Sequence, residues 1–360
     1  MQRRSFMKKA AAGAAVATIA APVVAQAPQI RWRLSSSFPK SLDTLYGAAE
    51  LFVKKVSEAT GGRFQISSHA GGEITPPFAV VDAIQQGTIE CAHTAPYYFF
   101  GKDPTFAMDC AIPFGMNARA LIAWMYEGNG MALTREFYKP YNIINFPMGN
   151  TGAQMGGWYR KEIKTLDEIK GLKMRIGGFG GTILSKLGGV PQNIPGGEIY
   201  PALEKGTIDA TEWVGPYDDE KLGFHKVAKF YYYPGWWEGG PQISLYINTA
   251  AWEKLPKEYQ AIVEIAAGMA HTDMLARYDA KNPAALRRLI GAGTQLRPFS
   301  RAIMEGAWKA ANEHYAELNN TNPRWKKMYE DYARFRDDQI RWSRVTENTF
   351  DDFMASVTKS

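Results

Sequence analysis

Three charged side chains occupy positions where the surrounding sequence is largely apolar. Arg175 lies on a predicted strand, Leu172 to Ile176, and its planar guanidinium suits a carboxylate held through two hydrogen bonds. Glu212 follows another predicted strand in the run TEWVGP, and Glu238 lies in the aromatic and glycine-rich run GWWEGG. These residue types predict a site for a small organic anion. An exposed strand arginine and loop-stabilising salt bridges are the competing interpretations.

The sequence lacks the motifs that mark common catalytic and nucleotide-binding sites. It has no HExxH, no GxSxG, no CxxC and no phosphate-loop lysine. The run Gly177 to Gly181 lacks dinucleotide-binding spacing, and we interpret it as a flexible turn before a helix. Aromatic residues do not interleave with a basic patch, so no nucleic-acid partner is expected. We therefore expect a binding protein and no enzymatic activity.

Residues 1–25 have the pattern of a secretory signal peptide. The basic run QRRSFMKK precedes an apolar run of about 12 residues, which is shorter than the roughly 20 that a membrane-spanning helix needs. The pair Arg3-Arg4 resembles the twin-arginine export signal. Cleavage after Ala25 is favoured over cleavage after Ala27, because Pro28 would follow the second cut. Much of the formal net charge of +6 therefore belongs to the leader, and we expect a soluble periplasmic protein.

Two cysteines, Cys91 and Cys110, remain in the predicted mature chain. An even number of cysteines in an exported protein allows one disulfide, and two buried thiols are the equal alternative. Neither cysteine has the spacing of a metal ligand.

An internal repeat predicts the architecture. Residues 83–98 read AIQQGTIECAHTAPYY and residues 202–217 read ALEKGTIDATEWVGPY, at a constant offset of 119 residues. Each segment predicts a helix, a glycine stop and a strand, so we expect two similar α/β lobes with largely parallel sheets. Chance recurrence of a common pattern is the alternative interpretation. Ligands of open α/β sheets bind beyond the carboxyl ends of the strands, so both strand ends should line one cleft.

These patterns predict a two-lobed, type II-like periplasmic-binding-protein fold with a central cleft. We assign residues 26–151 to lobe I, which also receives a return segment at about 241–290. Residues 152–240 form lobe II, together with about 291–322. Residues 323–360 meet no glycine or proline after Pro323 and predict one long C-terminal helix that braces both lobes or docks on another chain.

Four motifs give the chain a specific resemblance. GNTGAQMGGWYR (149–160), LDEIKGLKMR (166–175), ALEKGTIDATEW (202–213) and the WWEGG run resemble the substrate-binding proteins of tripartite ATP-independent periplasmic (TRAP) transporters. The similarity is greatest to the branch that binds 2-oxo acids such as pyruvate. It extends over essentially the whole predicted mature chain, and none of the four motifs departs from the family pattern.

The resemblance implies the roles of individual residues. Arg175 would clamp the substrate carboxylate, and a metal ion would bridge substrate and protein. Its ligands would be the amide of Gln154, the carboxylates of Glu212 and Glu238, and the main-chain oxygen of Trp213. The wall of the site contributed by lobe I is expected from three further residues, which are Tyr97, Tyr98 and Asn150.

Charge supports the metal independently. Two glutamates and a monocarboxylate outweigh one arginine, so an anion would be repelled unless a cation is present. The all-oxygen ligand set suits a hard cation. Charge balance alone favours Ca²⁺, whereas the resemblance favours Na⁺ for 2-oxo acids and Ca²⁺ for lactate. We predict Na⁺, with Ca²⁺ as the alternative.

We therefore predict a TRAP-type binding protein for a pyruvate-like 2-oxo monocarboxylate. The resemblance implies delivery to membrane symporter subunits and a homodimer formed through the C-terminal helix. Three alternatives remain open. The ligand could be lactate or another 2-hydroxy acid, the partner could be an ABC importer or a chemoreceptor, or Glu212 and Glu238 could be the acid–base pair of an exported enzyme.

Overall fold

The computed structural model describes residues 28–358, so the predicted signal peptide lies outside the described residues. These residues form a mixed α/β protein with two sheets. The strands are β1 Ile30–Ser36, β2 Phe64–His69, β3 Cys91–Thr94, β4 Ile143–Asn150, β5 Gly157–Tyr159, β6 Lys173–Arg175, β7 Val190–Gln192, β8 Ala210–Thr211, β9 Phe230–Tyr233, β10 Gln242–Asn248 and β11 Gln295–Pro298. The α-helices are α1 Leu45–Ala59, α2 Val80–Gln85, α3 Ala118–Tyr126, α4 Gly130–Tyr138, α5 Gly178–Lys186, α6 Gly196–Glu204, α7 Pro216–Leu222, α8 Thr249–Glu253, α9 Lys257–Gly291, α10 Arg301–Thr321, α11 Pro323–Val345 and α12 Glu347–Val357.

The first sheet has the strand order β2-β1-β3-β10-β4. Strands β2, β1 and β3 are parallel, but β10 runs antiparallel to both β3 and β4. The sheet is therefore mixed, where the sequence predicted a largely parallel one. The reason is that β10 enters this sheet from the other half of the molecule. Helix α1 covers the sheet and buries Leu45, Ala49, Phe52 and Val56, the spacing expected of one helix face.

The second sheet has the order β11-β9-β5-β8-β6-β7. Strand β6 is parallel to both of its neighbours, β7 and β8, whereas β5 is antiparallel to β8 and β9. Arg175 is the last residue of β6. It therefore lies at the carboxyl end of a strand inside the sheet, where open α/β sheets bind ligands.

The chain passes between the two sheets three times. Residues 151–156 connect β4 to β5, residues 234–241 connect β9 to β10, and α9 leads from the first sheet toward β11. Helix α9 packs against β4 and α1 on one side and against α7 on the other. Two of the predicted site residues, Gln154 and Glu238, lie on the first two of these connections. The predicted lobe boundaries near residues 151 and 240 fall within the same connections and stay a prediction.

The internal repeat is confirmed, because the two segments form the same hydrogen bonds at their glycine stops. Gly87 and Gly206 have φ angles of 69° and 72°, which a residue with a side chain rarely adopts. In both units the threonine after the glycine donates from its N–H and its hydroxyl to the carbonyl five residues earlier, at 2.9–3.1 Å. The glycine stop therefore ends α2 and α6 in the same way, and a strand follows each time.

The C-terminal region is helical, but it is not one continuous helix. Helix α11 ends at Val345, and Thr346 has a non-helical ψ angle of −94° before α12 begins. The predicted long C-terminal helix is confirmed as α11, which has 23 residues and begins at Pro323, but it does not continue unbroken past Thr346. Neither glycine nor proline marks this break, so local sequence contains no signal for it. Among the described helices the longest is instead α9, with 35 residues, which continues through Pro283.

Cys91 and Cys110 are free thiols, and both are fully buried. Burial raises the pKa of each thiol well above its ordinary value, which keeps both protonated and unreactive. The alternative of two buried thiols is therefore the one that the structure shows. Among residues 28–358, no helix is both long and apolar enough to cross a membrane.

Candidate functional site

The Arg175 side chain is fully buried at the end of β6. Its Nε donates to the main-chain oxygen of Ile194 at 3.1 Å, and its Nη1 donates to the Glu212 main-chain oxygen at 3.3 Å and forms an ion pair with the Glu212 carboxylate. The indole of Trp213 lies 4.9 Å from the guanidinium carbon. The remaining nitrogen, Nη2, is buried and has no hydrogen-bond partner among the described residues. The hydrogen bonds of Nε and Nη1 therefore orient the side chain, and Nη2 remains as a donor for a ligand.

Glu212 begins the loop that follows β8, and its side chain is also fully buried. Its Oε2 is buried without a hydrogen-bond partner in the described part of the chain. Burial raises the pKa of Glu212, and the positive charge of Arg175 limits that rise. The parallel pairing of β6 and β8 explains why the two residues meet, because Arg175 and Thr211 are register partners and Glu212 is the next residue.

Glu238 lies on the connection between β9 and β10, and it is 4% exposed. Its Oε2 has no partner within residues 28–358. Burial raises the pKa of Glu238 well above its ordinary value, and the negative charge of Glu212 adds to this effect. The two carboxylates are therefore near enough to repel each other. A cation between them would relieve that repulsion and allow both to be ionised.

Gln154 lies on the connection between β4 and β5, opposite Glu238. Its main-chain N–H donates to the Glu238 main-chain oxygen at 3.2 Å, and its carbonyl accepts from Gly235 N–H at 2.9 Å. Its amide nitrogen donates to Thr151 Oγ1 at 3.1 Å, whereas its amide oxygen is buried without a partner among the residues described. The two connections are thus joined by main-chain hydrogen bonds, which place the Gln154 and Glu238 side chains in the same region.

We refer to Arg175, Glu212, Glu238 and Gln154 as the cleft cluster. Each contributes one buried polar atom without a hydrogen-bond partner in the described structure: Nη2, Oε2, Oε2 and Oε1. Leaving such a group unpaired costs about 1–3 kcal/mol, so four in one cluster need an explanation. Three of the four are oxygens that suit a hard cation, and the fourth is a donor that suits a carboxylate. The residues therefore fit the predicted metal and anion.

The described residues contain no group of three or more His, Cys, Asp or Glu side chains placed to hold a metal. A metal here would depend on two carboxylates supplemented by amide and main-chain oxygens. The predicted fourth ligand is the main-chain oxygen of Trp213, a residue whose ring already contacts Arg175. The Trp213 ring is held closely, because a side chain at Gly196 would approach it to 2.5 Å.

Tyr97 and Tyr98 form the wall that the first sheet contributes. They lie in a 3₁₀ turn, Pro96–Phe99, directly after β3, and their rings meet edge to face at 5.0 Å. Tyr97 packs on the start of α5, where a Cβ at Gly177 would come within 2.7 Å of its ring. The predicted flexible turn at Gly177 to Gly181 is therefore wrong, since α5 begins at Gly178. The glycines allow the aromatic ring of one lobe to approach the helix of the other.

Asn150 is placed differently from the other predicted residues. It is fully buried, its amide nitrogen donates to the Gly240 main-chain oxygen at 2.9 Å, and its side-chain oxygen accepts from Gly152 N–H at 2.8 Å. Both ends of its amide are thus engaged with the two connections between the sheets. Asn150 therefore shapes these connections, and its direct contact with a ligand stays a prediction.

A narrow cavity of about 10 Å³ lies between the two sheets, which is about the room that one water molecule needs. Its polar lining comes from Tyr97, Tyr98, Thr151, Gln154 and Trp213. Sequence analysis did not assign Thr151 or the apolar lining to the site; Thr151 lies within the motif at residues 149–160, but the motif does not show which of its side chains face the cavity. The apolar residues are Phe38, Leu45, Ala95, Val214, Pro241 and Ile243.

Comparison with known proteins places these features in a family. The model of the family described as bacterial extracellular solute-binding protein, family 7, matches residues 35–322. A curated relative from Nostoc sp., named monocarboxylate 2-oxoacid-binding periplasmic protein, is 50% identical over 324 residues, which cover 88% of this chain and 89% of the relative.

Two solved structures have closely similar folds. A TRAP transporter solute-binding protein from Bordetella bronchiseptica has a TM-score of 0.90 and 50% identity, with 91% of this chain and 98% of that chain covered; it is a mixed-occupancy dimer with copurified calcium and picolinate. A TRAP periplasmic solute-binding protein from Pseudoalteromonas atlantica has a TM-score of 0.88 and 36% identity, with 90% and 99% covered, and holds sodium and pyruvate.

Proposed function

The chain belongs to family 7 of the bacterial extracellular solute-binding proteins, and on that basis we propose that it is the periplasmic receptor of a TRAP transporter for a small 2-oxo monocarboxylate. The observation that carries this proposal is the cleft cluster, four buried polar atoms between two sheets that lack partners among the described residues. The family is one of solute receptors for transport and is not an enzyme family. We propose no catalytic step.

Arg175 is the proposed clamp for the substrate carboxylate. Its Nη2 is the available donor, and its Nε and Nη1 are already held by Ile194 and Glu212. The ion pair with Glu212 is fully buried, so removing the arginine leaves an uncompensated negative charge. The Trp213 indole and this ion pair restrict the guanidinium, which reduces the entropy lost on binding.

A bridging cation is the second part of the proposal. It would be held by the Glu212 and Glu238 carboxylates, the Gln154 amide oxygen and the Trp213 main-chain oxygen, and it would lower the repulsion between the carboxylates and an anionic ligand. Pyruvate and picolinate, the ligands of the two solved relatives, each carry a second donor atom beside the carboxylate, as a chelating ligand requires. One relative holds sodium and the other calcium, so we propose Na⁺ with Ca²⁺ as the alternative.

Alternatives remain for the chemical class of the ligand and for the membrane partner. A 2-hydroxy acid such as lactate satisfies the same carboxylate and chelating contacts when the cation is Ca²⁺. A binding protein of an ABC importer, or a chemoreceptor, would use the same lobes with another membrane partner. The named TRAP relatives favour symporter subunits as the partner. A symporter gene pair beside this gene would support this assignment, and an ATPase gene would contradict it.

The location and the assembly also remain proposals. The curated relative is named a periplasmic protein, which supports a periplasmic location, and export by the twin-arginine route rests on residues 1–25. A homodimer through the C-terminal helices is supported by the apolar side chains that α11 and α12 expose, including Trp342 at 54%, Phe350 at 63% and Phe353 at 62%. Light scattering of the exported chain would decide its oligomeric state.

The proposed function is tested by calorimetric titration of pyruvate, with and without Na⁺ or Ca²⁺. We expect binding that strengthens with one of the cations, and no detectable binding to Arg175→Ala, because the carboxylate loses its charged donor. Arg135→Ala is the control: Arg135 is half-buried, donates to the main-chain oxygen of Asn145 and contacts an aromatic ring, that of Phe146, in the first lobe. Unchanged affinity in Arg175→Ala would remove this residue from the site. Binding that ignores both cations would remove the metal.

A further inference from the structure

The loop that carries Glu238 is packed, backbone against backbone, on a segment that lies outside the cleft cluster. This segment comprises residues 112–118, which follow Cys110 and end at the first residue of α3. A Cβ at Gly240 would lie 2.1 Å from the Ala118 nitrogen, and a Cβ at Gly239 would lie 3.2 Å from the Met116 oxygen. The two glycines of the WWEGG run are therefore needed for close approach. A shift of residues 112–118 would be transmitted directly to the residues beside Glu238.

Phe114 joins the same segment to the other side of the Glu238 loop. Its N–H donates to the Trp236 main-chain oxygen at 2.8 Å, and its ring stacks on the Trp236 indole at 5.6 Å with an interplanar angle of 12°. Phe114 has a φ angle of 54°, which is unusual for a bulky residue and costs on the order of 1–3 kcal/mol. Such a conformation persists only where the surroundings enforce it. Here the surroundings are the Glu238 loop on one side and the C-terminal helices on the other.

The C-terminal helices hold the segment through two tyrosine hydroxyls. The hydroxyl of Tyr332 on α11 accepts from Met116 N–H at 2.7 Å, and that of Tyr315 on α10 donates to the Pro113 main-chain oxygen at 2.8 Å. Tyr332 is 1% exposed, and a Cβ at Gly115 would lie 2.5 Å from its hydroxyl oxygen. The contacts thus run from α11 through residues 115–116 to the loop of Glu238.

We infer that Tyr332, acting through residues 114–116, is a positioning residue for the Glu238 carboxylate. The inference rests on the proposed function, because it concerns how one proposed metal ligand is kept in place. Glu238 lies on a connection between two sheets and not within a strand, so its own element does not determine its position. The support comes from the C-terminal helices, which contribute no member of the cleft cluster. Loss of a group that hydrogen-bonds a metal ligand directly weakens metal affinity by roughly 10–100-fold, and because Tyr332 acts through residues 114–116 we expect the lower end of that range.

The test compares Tyr332→Phe with Tyr259→Phe in the full mature chain. Tyr259 is equally buried and also makes a hydrogen bond to the main chain, donating to the Pro28 oxygen at 3.1 Å. Its ring stacks on Phe64 of β2, the edge strand of the first sheet. We expect the concentration of Na⁺ or Ca²⁺ that half-maximally supports pyruvate binding to rise about tenfold in Tyr332→Phe. Saturating cation should largely restore the pyruvate affinity, and Tyr259→Phe should show neither change.

Hydrogen exchange of the ligand-free and cation-free proteins supplies a second readout. The main-chain N–H of Glu238 donates to the Gly235 main-chain oxygen at 3.0 Å, and the main-chain N–H of Gln154 donates to the Glu238 main-chain oxygen at 3.2 Å. The exchange rates of these two main-chain amides therefore report on the stability of the loop. Faster exchange of these two amides in Tyr332→Phe alone supports the inference. A lower melting temperature with unchanged exchange and unchanged cation requirement overturns it. If the parent protein binds no pyruvate with or without the cations, the proposed function fails, and if it binds pyruvate without any cation effect, only the metal is removed. In either case the exchange result still decides whether Tyr332 positions the loop.

Discussion

Asp109 and Glu238 are both buried carboxylates, but the protein supplies them with hydrogen-bond donors very differently. Asp109 Oδ1 accepts from the Tyr138 hydroxyl at 2.7 Å, and its Oδ2 accepts from Ser244 at 3.2 Å and from Asn145 at 3.4 Å. Glu238 Oε2 is buried without a partner among residues 28–358. One carboxylate has its donors within the fold, and the other retains capacity for a group from outside.

The same contrast appears in the pKa values. Burial raises the pKa of Asp109 to about 7, and its three side-chain donors limit the rise. Burial raises the pKa of Glu238 well above its ordinary value and the Glu212 charge reinforces the rise, whereas the Arg175 charge and a hydrogen bond with Tyr97 limit it. Burial alone therefore does not distinguish a structural carboxylate from one in a binding site. For Asp109 and Glu238 the difference is whether each oxygen already has a donor, together with a second buried carboxylate, Glu212, near Glu238.

The largest expected effect is on ligand affinity. Glu238→Gln removes a charge that the proposed cation needs, so pyruvate affinity should fall at least about 1,000-fold, or about 4 kcal/mol. Asp109→Asn should change it by less than about threefold, because Asp109 is satisfied within the first lobe. Calorimetry at one fixed cation concentration makes the comparison. Equal losses in the two variants would contradict the distinction drawn between the two carboxylates.

For the stability of the ligand-free protein we expect the reverse ranking, in which a substitution at Asp109 has a larger effect than one at Glu238. Asp109→Ala removes the acceptor of the Tyr138, Ser244 and Asn145 donors and opens a small cavity, so the free energy of unfolding should fall by about 3 kcal/mol. Glu238→Gln removes a repulsion and should leave that free energy unchanged or raise it. Urea denaturation of cation-free protein measures both. A stability loss in Glu238→Gln as large as that in Asp109→Ala would show that Glu238 is structural.

The last effect concerns the pH dependence of stability. The folded-state pKa of Asp109, about 7, lies above its ordinary value of 3.8, so its contribution to stability is complete below about 3.8 and is lost as the pH rises through about 7. The amide that replaces the carboxyl group in Asp109→Asn does not titrate. The stability advantage of the parent over this variant, measured by urea denaturation at each pH, should therefore shrink steadily as the pH rises from about 4 to about 7.5.

The difference in the free energy of unfolding between the parent and Asp109→Asn is more informative than the pH dependence of the parent alone. Burial lowers the pKa of His93 to about 3 and that of His271 to about 4, and these groups destabilise the fold as the pH falls below 6.5. Their contribution is the same in both proteins and cancels. A pH-independent difference would mean that the Asp109 pKa is not raised.

Patterns of local chemistry made much of the fold predictable. The glycine stops at Gly87 and Gly206 act on neighbouring residues, and the structure confirms both. The antiparallel course of β10 and the break at Thr346 were not predictable. Both depend on contacts with distant segments, and neither carries a local signal.

The residues of the candidate site were predictable from motifs, but the contacts that hold them in place were not. Arg175, Glu212, Glu238 and Gln154 were named from motifs, and the structure brings them together, whereas their binding roles stay a prediction. The Asn150 amide is occupied by main-chain groups of Gly152 and Gly240, which no motif reveals. The support from Tyr332 could not be seen either, because that contact spans 216 residues of sequence.

The position of β10 also constrains the order in which the newly made chain can be completed. Strands β3 and β4 are separated in the first sheet by β10, whose residues are Gln242–Asn248. Until the ribosome has produced Asn248, the N-terminal half has two strand edges facing a gap, and the whole second sheet except β11 has been synthesised first. Exposed edges of this kind invite pairing with other chains. The nascent polypeptide therefore has a built-in interval of vulnerability, in which a chaperone or the export machinery would have to shield it.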